Sequence, residues 1–208
     1  EPRPPQRVMT AAPTTLDQGN APAGEDATLS AIYSLLALTM RYPEAASCNE
    51  QLFDTLESLL VSLDWSGERA ALQDWRRRSA DPLDDLRTAY TRLFINAVPH
   101  VTVPPYASVY LDGSGTLQGP TTERTRDFYR AHGYDLASET EPADHLALEL
   151  DFLAALTGEG QVEAEEVFLR TLFRPWFTRF KERCMQEVRH PFYTVSIQLI
   201  DFFTKEEQ

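Results

Sequence analysis

Cysteine is nearly absent from this chain, with two residues, Cys48 and Cys184, among 208. Two thiols so far apart match no metal-binding spacing and are too few for a disulfide scaffold. Both are expected to be buried or partly buried thiols in a reducing compartment. Histidine is also sparse: four residues, scattered, without the paired helical pattern around a central Glu, leave no zinc site to assemble. Positive charge is in short supply, since 19 basic against 32 acidic side chains give a formal charge of −13. Phosphate repulsion then disfavours a nucleic-acid partner, and a basic peptide or protein segment is the more comfortable one. No apolar run reaches the roughly 18 residues of a membrane span. The opening residues lack the basic, apolar and small-residue succession of a signal peptide, so the expected location is the cytoplasm, without stable membrane insertion. No nucleophile motif, phosphate-binding glycine loop or dinucleotide fingerprint is present, and Gly113 and Gly115 neither follow a clear strand nor lead directly into a helix.

The hydrophobic fraction of 42% and charged fraction of 25% are those of an ordinary soluble globular chain. Residues 1–25 differ from the rest: Pro2, Pro4, Pro5, Pro13 and Pro22 alternate with small and polar residues, which supply too little apolar surface to offset chain entropy. A disordered or loosely docked tail is expected there, followed by one all-helical domain over 26–208.

The body carries helical periodicity. Leu29, Ile32, Tyr33, Leu35 and Leu36 recur at three to four residues in a helix that stops before Pro43. A second helix is expected from about Cys48 to Leu63 and a shorter one over Glu68 to Arg77, with Leu72 and Trp75 on one face. Asp81-Pro82 is an N-cap followed by proline at the first helical position, ahead of a stripe of Leu83, Leu86, Tyr90, Leu93 and Phe94. Between Ile95 and Thr122, prolines and three glycines make regular helix unexpected. Val101-Thr-Val103 and Val109-Tyr-Leu111 suit short extended pieces, and Asp112-Gly-Ser-Gly115 a turn. A loop this long is either functional or a packed segment closing the core. Helix resumes near Thr122 and ends at His132-Gly133, where glycine suits the position after the last turn. A long helix over Val162–Val188 should kink or restart at Pro175, and a last one follows His190-Pro191.

The segment Glu141-Pro-Ala-Asp-His-Leu-Ala-Leu-Glu-Leu150 concentrates ionisable groups ahead of an apolar run. With Pro142 at the first helical position, Glu141 is the N-cap and Asp144 meets the free backbone donors of the first turn. His145 and Glu149, four apart, share a face and suit a hydrogen-bonded pair that fixes the imidazole tautomer. The group is too small for a metal site. Proton transfer by His and carboxylate, a structural cap and pair, and a binding surface all stand open on the residues alone.

Four stretches in order carry a resemblance: Tyr90-Thr-Arg-Leu-Phe94, Pro104-Pro-Tyr-Ala-Ser-Val-Tyr110, Phe128-Tyr-Arg-Ala-His-Gly133 and Glu141 to Leu150. Together they resemble the TorD/DmsD/NarJ family of redox-enzyme maturation chaperones, on its TorD/DmsD side. The resemblance implies an all-α helical bundle with a long Pro-rich loop and no catalytic role. It implies a cytoplasmic chaperone that binds the apo catalytic subunit of a molybdopterin oxidoreductase of the dimethyl sulfoxide reductase family, through its N-terminal twin-arginine leader. Export is then delayed until the cofactor is inserted. No cofactor is implied to be held permanently, although the client brings molybdopterin guanine dinucleotide close. The residues carried over as peptide-binding or groove-shaping are Tyr106, Ser108, Tyr110, Glu141, Asp144, His145 and Glu149. Two further functions compete: a structural adaptor indifferent to arginine, and a small all-α hydrolase centred on His145.

Overall fold

The computed structural model describes residues 7–9, 24–96, 102–113, 117–137 and 140–206. In chain order the elements are β1 (Arg7–Met9), α1 (Glu25–Thr39), α2 (Glu50–Ser62), α3 (Ser66–Arg78) and α4 (Pro82–Tyr90), which runs into a π-helical turn at Thr91–Ile95. Then come α5 (Ala107–Leu111), α6 (Pro120–Ala131), β2 (Tyr134–Leu136), α7 (Leu146–Gly158), α8 (Val162–Phe168), a π-helical turn at Leu169–Phe173, α9 (Arg174–Glu187) and α10 (Pro191–Thr204). The architecture is all-α, as expected, with one small parallel pair among the described residues, in which Arg7, Val8 and Met9 pair with Tyr134, Asp135 and Leu136. The remainder of the expected N-terminal tail, up to residue 23, lies outside the described residues.

The described residues form two compact units, one built from the chain up to Ala37 with Pro105–Phe180, the other from Leu38–Pro104 with the chain from Lys181 onward. In the first unit, Phe152 on α7 is fully buried and meets the rings of Tyr129, Tyr134 and Phe168 at centroid distances of 4.4, 5.5 and 5.1 Å. These contacts join α6, β2, α7 and α8 around one aromatic centre. Ser30 Oγ donates to Ala154 O at 2.6 Å and Tyr33 Oη to Glu165 at 3.2 Å, tying α1 to the same core. Gly133, at φ +87°, ends α6 in the left-handed conformation that a glycine after a helix supplies.

In the second unit, the Asn49 side chain accepts from Leu52 N to start α2, and Asp81 accepts from Leu83 N and Asp84 N to start α4 with Pro82 in the first turn. Phe53 and Trp75 pack edge to face at 5.8 Å between α2 and α3, and the Arg76 guanidinium lies 4.9 Å over the Phe53 ring. Tyr193 on α10 donates to Leu86 O at 3.0 Å, and its ring lies 5.6 Å from Phe94.

Two expectations are corrected. The Pro-rich segment holds a helix, α5, where short extended pieces were expected at Val109-Tyr-Leu111. The periodicity was too short to register: a single turn has one buried face, here Ala107, Ser108 and Tyr110, and a carboxylate from elsewhere in the chain supports its start. Val101 and residues 114–116 lie outside the described residues. The second correction concerns α7, which begins at Leu146 and not at Pro142. At Pro175, by contrast, the expected interruption occurs. Proline lacks a backbone donor and crowds the preceding turn, so the helix widens over Leu169–Phe173, with Arg174 N bonded to Leu169 O five residues back, and α9 restarts there.

Candidate functional site

The two motif segments expected to carry function are held side by side. Tyr106 and His145 form an isolated antiparallel bridge, with Ala107 N donating to Asp144 O at 3.0 Å and Leu146 N donating to Pro105 O at 2.9 Å. Pro105 and Pro142 suit this arrangement, because neither has a backbone donor to leave unpaired, and Pro142 O accepts from His145 N at 3.0 Å in the turn before the bridge.

Asp144 is the centre of the junction. Its side chain is fully buried, one oxygen accepting from Ser108 N at 2.7 Å and the other from Thr122 Oγ1 at 2.8 Å. The expectation that it serves the first turn of its own helix is corrected: Asp144 precedes α7 and supports the start of α5 instead, 36 residues away. The cap of α7 is His145, whose Nδ1 accepts from Ala147 N at 3.2 Å. Glu141, expected as the N-cap, lies four residues before the cap and accepts from Tyr106 Oη at 2.9 Å.

The expected His145–Glu149 pair is corrected as well. Glu149 is fully buried, and one oxygen accepts from Trp176 Nε1 at 2.9 Å while the other has no hydrogen-bond partner. On a helix the backbone brings residues four apart onto one face, but His145 sits at the cap with a non-helical φ,ψ of −73°, 134°, so the face relation does not extend to it. Burial pushes the Glu149 carboxyl well above the usual carboxylate range, the charge of Asp144 adds to this, and the Trp176 hydrogen bond opposes it. Ser108 Oγ and Thr125 Oγ1 are likewise buried without a partner.

Trp176 and Arg179 are participants that the sequence reading missed. The Trp176 ring stacks on Tyr110 at 5.8 Å while its Nε1 serves Glu149, and Arg179 donates to Tyr110 O at 2.8 Å. Both lie on α9 at positions that look like ordinary members of an amphipathic stripe. A buried indole has to find an acceptor, and that requirement was the one available signal.

Tyr106, Ser108, Tyr110, Glu141, Asp144, His145 and Glu149 therefore gather in one unit, yet with unequal access. Ser108, Tyr110, Asp144, His145 and Glu149 are buried, and only Glu141 and Tyr106 keep part of their side chains at the surface. Among the described residues no cluster of three or more His, Cys, Asp or Glu is disposed to hold a metal ion, and no helix is long and apolar enough to cross a membrane. Cys48 and Cys184 are free thiols, half-buried and buried, and burial pushes the Cys184 thiol up to about 12.

In an all-α chain, two segments are thus cross-tied by backbone bonds around a fully buried carboxylate, with a part-exposed carboxylate–tyrosine pair beside it. The family described as nitrate reductase delta subunit matches residues 49–182, and the chain belongs to it. It is 33% identical to a chaperone protein TorD from Aliivibrio fischeri over 49% of this chain and 53% of that protein. With TorD from Vibrio parahaemolyticus it shares 30% identity over 76% of this chain and 74% of that protein. For several TorD relatives, including the A. fischeri protein at 53%, the chain spans only about half their length. A crystal structure of a redox enzyme maturation protein from Archaeoglobus fulgidus has the same fold, with a TM-score of 0.57 and 24% identity over 91% of this chain and 99% of the other. The family resemblance expected from the four stretches is thus what the comparisons find.

Proposed function

We propose that this protein is a redox-enzyme maturation chaperone that binds the arginine-bearing N-terminal leader and apo form of a molybdopterin oxidoreductase catalytic subunit in the cytoplasm. It holds that client back from export until the cofactor is inserted. The protein itself keeps no cofactor, and any approach to molybdopterin guanine dinucleotide comes through the client. The observation that carries this reading is the cross-tied junction of the Pro105–Tyr110 and Glu141–Glu149 segments, with the Glu141 carboxylate held at its surface by Tyr106.

A guanidinium seeks a carboxylate it can approach from solvent, and Glu141 offers one already oriented. Asp144 does not: both oxygens are committed and the side chain is fully buried. In this reading Glu141 and Tyr106 touch the leader, whereas Asp144, His145, Ser108 and Glu149 shape the surface that presents them. The family membership and the chain's formal charge of −13 support a basic client segment.

The test is co-purification of candidate catalytic subunits with and without their leader, combined with peptide titration. Glu141→Lys is expected to weaken binding of a twin-arginine peptide by about tenfold or more while the fold survives, because an attractive contact becomes a repulsive one. Equal capture of leaderless client, together with unchanged peptide affinity in Glu141→Lys, would refute the reading in favour of an adaptor indifferent to arginine.

A further inference from the structure

In the second unit, α3, α4, the π-helical turn after it and the link between α9 and α10 line a half-open cavity of about 350 Å³. Its hydrogen-bonding groups are lopsided. His190 caps α10 with Nδ1, which accepts from Phe192 N at 3.3 Å, so the neutral ring carries its proton on Nε2. That N–H is buried without an acceptor. Trp75 lies against the His190 ring at 4.7 Å, and its Nε1–H is likewise buried without an acceptor. Two guanidiniums join them on the lining. Among the described residues the Arg92 side chain makes no hydrogen bond or ion pair, and the Arg189 side chain makes one hydrogen bond, to Val188 O. The opposing carboxylates are Asp85, one oxygen of which is taken by Ser79 Oγ, and Glu187.

Buried donors without acceptors are rare in native proteins and call for a reason. Four donor groups around one cavity, in a chain that otherwise carries an excess of acid, have a common one. We propose that this cavity binds the oxyanion of a small molecule, a carboxylate or a phosphate, with Arg92 and Arg189 clasping it from the rim and the Trp75–His190 pair forming the inner wall. Planar guanidiniums match either oxyanion bidentately, and a small shift of the Trp75–His190 pair on binding would bring the buried imidazole N–H to the ligand as a third donor. Glu187 then stands as a filter against ligands with a second negative charge placed on its side. The volume sits at the small end of the range for ligand pockets, about 300–1,000 Å³, which suits a small molecule better than a polypeptide strand. This site shares no residue with the junction around Asp144, so its test needs no client.

The experiment is calorimetric titration of the full chain with citrate, inorganic phosphate and pyrophosphate at constant ionic strength, with tryptophan fluorescence read in parallel. At least one probe is expected to bind saturably and to change the emission, and Trp75→Phe to abolish that change. Carboxylate-only or phosphate-only binding identifies the source of the oxyanion. The variant Arg92→Gln/Arg189→Gln, whose folding is checked by circular dichroism, is expected to bind about tenfold more weakly or worse, since it loses two charge-assisted contacts. Absence of saturable binding by all three probes up to about 10 mM, the weak limit of specific recognition, overturns the proposal. So does binding that the double variant retains in full.

Discussion

The helix starts at His145 and His190 use one device in two regions of the chain. In each, the ring Nδ1 accepts from the backbone N–H two residues on, at 3.2 Å from Ala147 and 3.3 Å from Phe192, and in each the ring rests against an aromatic side chain, Tyr106 or Trp75. What surrounds them differs. At His145 the preceding Asp144 has both oxygens bonded, and backbone bonds on either side tie the segment to Pro105–Ala107. At His190 the preceding Arg189 reaches only its neighbour's carbonyl, and the outer ring nitrogen is buried without a partner beside a cavity. The same capping chemistry thus serves a closed junction in one place and an open one in the other. The cap starts the helix, while neighbours distant in sequence decide whether the surroundings are finished.

Breaking the closed junction should cost most. Asp144→Ala strands the Ser108 N–H and Thr122 hydroxyl together, and about 3 kcal/mol of stability should be lost in chemical denaturation. Asp144→Asn, which keeps one acceptor, should lose less. If the alanine variant is as stable as the parent, the junction is not held as described.

Glu149 tests the same region through its proton. Its folded pKa lies above the unfolded value of 4.5, so the folded state binds more protons than the unfolded one above that pH. The stability it contributes is therefore fully present below 4.5 and is lost as pH rises through the folded value. Glu149→Gln keeps an acceptor for Trp176 and removes the titration. It should be more stable than the parent by about 2 kcal/mol at alkaline pH, because it removes a buried charge whose hydrogen bonding is incomplete, with the gap closing toward pH 4. A gap independent of pH would count against burial of the ionised form as the cause.

His190 titrates the opposite way. Burial lowers its pKa from 6.5 to about 4, with Asp85 opposing. The unfolded state then binds more protons between those values, so this stability is present above pH 6.5 and is lost as pH falls toward 4. After allowance for solvent screening, about 1 kcal/mol should disappear across that window in the parent. It should not disappear in His190→Asn, which keeps a capping acceptor without a proton to gain; denaturation midpoints against pH decide it.

The smallest effect belongs to the surface pair. Tyr106→Phe and Glu141→Gln should each change stability by no more than about 0.5 kcal/mol, because a part-exposed hydrogen bond exchanges readily with water. Thermal melts that instead match the loss from Asp144→Ala would move Glu141 from the surface to the frame.

Much of the fold was legible along the chain because its signals are local. Asp81-Pro82 capped α4, Gly133 ended α6, and Pro175 interrupted α8–α9 through steric rules that act within one turn. The seven candidate residues also proved to be neighbours, although they come from segments more than thirty positions apart, as the 36-residue span from Ser108 to Asp144 shows. Their roles were less legible. Glu141 and Asp144 in an acidic-proline segment look interchangeable, each a carboxylate near a helix start. Burial alone distinguishes them, and burial depends on α5 and α6. Trp176 gave no warning, since an indole at helical spacing looks like core whether or not its nitrogen holds a carboxylate.

Sequence by itself determined the all-α class, most helix boundaries and the family, because periodicity, caps and ordered motifs are properties of the chain read in one dimension. Tertiary structure alone decided that Asp144 starts a helix other than its own, that Glu149 answers Trp176 instead of His145, and that Glu141 is left at the surface. The reason is physical. A carboxylate removed from water must take its hydrogen bonds from whatever donors the fold brings within about 3 Å. Those donors are Ser108, Thr122 and Trp176, and none of them is a sequence neighbour of the acid it satisfies.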